Sequence, residues 1–129
     1  MAAISGEVYY GHYEFPDGGI STKFILVLYA NSLDDRVITC IATKVPTDKN
    51  RNPGCHFKTQ RFFIPAGKQY FDVDTYLELL RLKEFSYKEF PAGIEKTFVL
   101  DPDIFAKVKD CLKKFIDDIP SDLVPLICH

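Results

Sequence analysis

The chain has 129 residues, 47% apolar and 26% charged, which is enough for one buried core and too little for two ordinary domains. That apolar share excludes a disordered chain, and a net charge of −2 excludes a generic polyanion binder. The longest purely apolar run, Phe24 to Ala30, falls far short of the roughly 20 residues of a membrane helix, so no membrane partner is expected.

The opening MAAISGEVYY lacks the basic and long apolar regions of a secretory signal, and a cytoplasmic location is the expectation. From Glu7 to Phe15 the order EVYYGHYEF is rich in aromatics and predicts a strand, which Pro16-Asp17-Gly18-Gly19 turns. Lys23 to Tyr29 and Val37 to Thr43 are continuous apolar runs that fit strands covered on both faces. Pro46 to Gly54 is a loop by composition, and Phe57 to Pro65 alternates well enough for a further strand. Tyr70 to Leu82 is mixed: FDVDTY favours a strand, whereas LELLRLKEF has helical spacing. Ile94 to Leu100 predicts a short strand. It hands over to Asp101-Pro102, a helix start with Asp as cap and Pro in the first turn. Beyond it Phe105, Val108, Leu112 and Phe115 recur at steps of three and four, predicting an amphipathic helix packed on the sheet, and Pro120 stops it. The expected fold over 1–129 is therefore a single, mainly β (α+β) domain. It is an SH3-like barrel or twisted antiparallel sheet of five to six strands with one principal C-terminal helix.

Charge and cysteines add two readings. Between Lys44 and Lys68 stand six basic residues against the single acid Asp48, and a local patch of this kind attracts nucleic acid even on an acidic protein. Lys44, Lys49, Arg51, His56, Lys58 and Arg61 are its candidate RNA contacts, and Phe57, Phe62 and Phe63 offer either stacking surfaces or core. His56 is also the better placed of the two interior histidines for carrying a proton near neutral pH. Cys40, Cys55, Cys111 and Cys128 read as free thiols, since a secreted disulfide framework of this size is normally denser. Their spacing lacks the local Cys-x2–4-Cys pattern of a zinc site, so neither a metal nor another cofactor is expected.

Two polar residues bound the paired apolar runs: Lys23 opens the first and Thr43 closes the second. A point charge and a hydroxyl held at adjacent strand ends can converge on a phosphate. In element order, and in the residues GEVYY, KFILVLY, ITCIATK and IEKTFVLDPDIFAKVKDCL, the chain resembles the PemK/MazF family of toxin endoribonucleases over most of Gly6 to Leu112. The resemblance places Glu7 at the family's Asp, Lys23 at its catalytic Arg and Thr43 at its catalytic Thr. Two departures stand out: Lys23-Phe24 replaces Arg-Pro, and Lys44 replaces the Ser after the Thr. What the resemblance implies is a metal-independent endoribonuclease of a toxin-antitoxin pair acting on single-stranded RNA, with a small antitoxin protein as partner and a homodimer as assembly. Its rival is a non-catalytic SH3-like interaction module in a defence or regulatory system, because Lys lacks the planar fork that Arg offers a phosphate.

Overall fold

The structure is a computed structural model that describes residues 3–14, 19–44, 52–56, 58–67, 71, 73–90 and 94–128. Seven strands form one antiparallel sheet: β1 (Glu7–Glu14), β2 (Ile20–Asn31), β3 (Arg36–Lys44), β4 (Gly54–His56), β5 (Arg61–Ile64), β6 (Thr75–Ser86) and β7 (Ile94–Val99). Their order across the sheet is β4-β5-β6-β3-β2-β1-β7. The chain closes with α1 (Pro102–Lys113), a short 3-10 turn at Ile116–Asp118, and α2 (Val124–Ile127).

Irregular register curls this sheet into a half-barrel. At the largest irregularity Cys40 of β3 faces Leu82, yet the next residue, Ile41, faces Glu78. Leu79, Leu80 and Arg81 thus have no counterpart on β3, and bulges of this kind bend a strand and increase its twist. The first half of β6 lies between β5 and the end of β3, and the second half runs along the start of β3. A smaller shift between Val27 and Tyr29 bends β2 in the same way.

The concave face is filled from the carboxyl end. Val108, Cys111, Leu112, Phe115, Ile119, Leu123 and Ile127 bury against Leu26, Leu28, Ile38, Cys40, Leu77 and Leu79. Tyr9, Val27 and Val37 on the opposite face are covered by Ala3 and Phe90. Both faces of β2 and β3 are therefore apolar, which is why their sequences read as unbroken runs instead of alternating ones.

Several expectations needed correction. Among the described residues the sheet has seven strands because Gly54, expected as the end of a loop, and the next two residues pair with β5 as a short edge strand. Of the strand expected over Phe57 to Pro65, the described residues 58–65 are strand only at Arg61–Ile64. The stretch with helical spacing is strand throughout, since its apolar residues face a sheet-covering helix on one side and a second apolar cluster on the other. Asp101 occupies the cap position of α1 without a side-chain cap hydrogen bond. Cys55 and Cys111 are not free thiols: they form a disulfide across a sequence separation of 56, because α1 runs past β4 and brings the two Cα atoms to 5.4 Å. Cys40 and Cys128 are free and buried. Among the described residues no helix is long and apolar enough to cross a membrane.

Candidate functional site

Register delivers Lys23 and Thr43 to one place. Phe24 of β2 pairs with Ala42 of β3, so the next residues outward on the two strands are Lys23 and Thr43. Both residues, with Lys44, belong to the rim of an open concavity of about 330 Å³ at this end of the sheet. Its other walls include Tyr10, Phe24 and Phe71. The rings of Tyr10 and Phe24 lie 4.6 Å apart, and Phe71 meets Phe24 edge-on at 5.3 Å. Tyr10 remains 43% exposed, so one accessible aromatic ring borders two cations. Charge beside an accessible ring is the combination that holds a single-stranded nucleotide: the backbone by attraction, the base by stacking.

Behind Thr43 lies a polar chain on one sheet face. Thr43 donates from Oγ1 to Glu78 Oε2 at 3.2 Å. Arg61 donates from Nε to Glu78 Oε1, and its guanidinium lies 5.0 Å from the centre of the Tyr76 ring. Glu78 is buried, and a buried carboxylate persists only when paired and hydrogen-bonded, as this one is. Its negative charge also acts on Cys40, whose thiol is pushed well above its ordinary range, first by burial and then by Glu78.

The other predicted contacts are dispersed. His56 packs edge-on against Tyr76 at 5.5 Å and stacks near Phe63 at 6.3 Å. Its Nε2 meets the Asn52 carbonyl at 2.6 Å; a carbonyl only accepts, so this nitrogen carries the proton. Lys58 is exposed in the turn between β4 and β5. Arg61 is engaged by Glu78 and Tyr76, and Lys49, Arg51 and Phe57 lie outside the described residues. Phe62 and Phe63 are buried, which makes them core and not stacking surfaces. Glu7 is buried too; it accepts from the Ile4 amide at 2.6 Å and from the Tyr9 hydroxyl at 2.9 Å, tying down the amino terminus.

Glu78 and Tyr76 are the residues that sequence reasoning passed over. A lone acid inside TYLELL was the available signal. On a strand, Glu78 must share a face with Tyr76 and oppose Leu77 and Leu79. The helical spacing of the same stretch obscured that parity.

A larger concavity of about 570 Å³ opens between the β4–β5 edge and α1, with Phe62, Ile64, Pro65 and Ile104 on its walls and Asp101 and Lys107 beside them. None of the predicted site residues among those described lines it. Among the described residues no group of three His, Cys, Asp or Glu side chains converges as metal ligands would. No protein-family model matches the chain, and no curated protein matches it.

Proposed function

We propose that the chain is an endoribonuclease that cuts single-stranded RNA by using the substrate's own 2′-hydroxyl. One observation carries this reading: β2 and β3 bring Lys23, Thr43 and Lys44 to a single concavity that also includes the exposed Tyr10. In such a reaction the 2′-oxygen attacks the adjacent phosphorus and gives up its proton to water. The 5′-oxygen leaves and gains one, and the products are a 2′,3′-cyclic phosphate and a 5′-hydroxyl. Negative charge grows on the phosphorane oxygens, and a fixed cation stabilises it where it develops. Lys23 is that cation and a proton source for the leaving oxygen, Lys44 attracts the neighbouring phosphate, and Tyr10 stacks a base. The resemblance to PemK/MazF toxins supports the same assignment, with an antitoxin and a second copy of the chain as the partners it implies.

The experiment is digestion of an end-labelled single-stranded RNA in the presence of a chelator, comparing the native chain with Lys23→Ala. Native protein should yield cyclic-phosphate ends, and Lys23→Ala should lose most of the rate. If the native chain neither cuts nor retains RNA, the endoribonuclease reading fails and the interaction module is left standing.

A further inference from the structure

Hydrogen-bond direction along the polar chain behind Thr43 is set at its inner end. A guanidinium has donors and no acceptor, so Arg61 Nε must donate to Glu78 Oε1. The other oxygen of the same buried carboxylate, Oε2, accepts from Thr43 Oγ1 at 3.2 Å. A threonine hydroxyl carries one proton, and here it points inward to Glu78. Turning it outward would leave Oε2 without that donor at a side chain only 10% exposed, where a lost hydrogen bond is costly. With its proton engaged, the oxygen has lone pairs alone left for a ligand, and Thr43 is among the residues at the rim of the concavity.

That polarity selects what can bind. A phosphate oxygen has lone pairs and no proton, so it gains no hydrogen bond from Thr43 held in this state. A sugar hydroxyl has a proton to give. We propose that Glu78 is a positioning residue that fixes Thr43 as an acceptor for a ribose 2′-hydroxyl, so that the site separates RNA from DNA at Thr43 while Lys23 takes the phosphate. The inference rests on the endoribonuclease reading and departs from the sequence expectation for Thr43, which here contacts the sugar that the phosphate is joined to, not the phosphate. It also adds Glu78, which touches no substrate and acts through Thr43.

The test compares binding of a single-stranded RNA with that of the DNA of equivalent sequence, read by stopped-flow fluorescence before cleavage, with RNA integrity checked on a denaturing gel. The native chain should favour RNA about three- to tenfold, the ratio carried by one neutral hydrogen bond. Thr43→Ser should keep that ratio, and Thr43→Val should bring it to about one. Glu78→Gln is the sharper variant. Because Arg61 Nε can only donate, the new amide must turn its carbonyl to Arg61 and its NH2 to Thr43, which reverses the threonine hydroxyl. The ratio should then fall to about one while DNA binding is kept. If Glu78→Gln does not fold, as judged by its thermal unfolding, the Thr43→Ser and Thr43→Val pair decides. Equal native affinity for RNA and DNA would overturn the assignment of Thr43 and Glu78 while leaving single-strand binding intact. So would a native-like ratio in folded Glu78→Gln, or in Thr43→Val. Failure of the native chain to bind either strand would overturn both this inference and the endoribonuclease reading.

Discussion

Reduction of the Cys55–Cys111 disulfide tests how the edge of the sheet is held. Its partners are separated by 56 positions, and in the chain-entropy picture closing a loop of that length removes about 4 kcal/mol of freedom from the unfolded state at 25 °C. Losses on breaking such bonds run at about 2–5 kcal/mol, so guanidinium unfolding with and without reductant should differ by about 2–4 kcal/mol. A Cys55→Ser, Cys111→Ser double variant should reproduce the reduced value without any reductant. The damage should begin locally. Strand β4 has three residues and pairs only through β5, whereas α1 remains seated by Val108 and Leu112, both fully buried. Hydrogen exchange should therefore quicken at β4 before it does at β3. Thiol titration gives an independent check, because burial pushes the free thiols of Cys40 and Cys128 up and keeps them unreactive in the folded chain. The unreduced chain should expose two thiols once it is unfolded, and four after reduction. Four thiols without reductant, or no change in unfolding on reduction, would refute the reasoning.

Two further outcomes concern the core. Leu112 is wholly buried between α1 and the sheet, so Leu112→Ala should destabilise the chain by about 2–5 kcal/mol through the cavity it leaves, measured by chemical denaturation. Tyr9 is pushed up above its ordinary range, first by burial and then by its hydrogen bond to Glu7. The folded chain thus holds the phenol neutral after the unfolded chain has begun to ionise it. Stability tied to Tyr9 is complete below the ordinary value of about 10 and drains away as pH rises beyond it. Comparing unfolding midpoints at about pH 8 and about pH 11, Tyr9→Phe should lose less than the native chain. Equal losses would show that the phenol is not held neutral.

Legibility in the sequence followed the kind of information each feature needs. The paired runs at Phe24–Ala30 and Val37–Thr43 were readable because burial on both faces writes itself as unbroken apolar sequence. Helix α1 was readable from its period and from Asp101-Pro102. Lys23 and Thr43 could be placed at one rim because consecutive strands usually pair. What failed depended on contacts between distant segments. No local pattern tells that Cys55 meets Cys111, because their approach is set by where α1 crosses an edge strand. The stretch Leu77 to Phe85 has helical spacing by coincidence: its second half sits after a bulge that moves side chains between faces, and a bulge breaks the period on which sequence reading relies. Glu78 was hidden for the same reason, since its role appears only when β5 on one side and β3 on the other are in register with it.

The pairing of Arg61 with Glu78 raises the question of why a charged pair sits beside Ile41, on a face where a hydrocarbon would also fit. Burying two charges costs several kcal/mol each, and replacing such a pair by apolar residues of similar size is often neutral or stabilising. Arg61 is about one-third exposed, which lightens both its desolvation and its attraction to Glu78. The pair is thus weak as a stabiliser, and its value lies in the direction it imposes on Thr43. Arg61→Met alone should destabilise by up to about 3 kcal/mol, because it leaves the Glu78 charge uncompensated. Arg61→Met combined with Glu78→Leu should recover native stability or exceed it, read as the guanidinium midpoint, and should abolish the preference for RNA over DNA. If the double variant were instead less stable than Arg61→Met, the pair would be a structural fastening between β5 and β6. The orientation of Thr43 would then be a by-product of the fold.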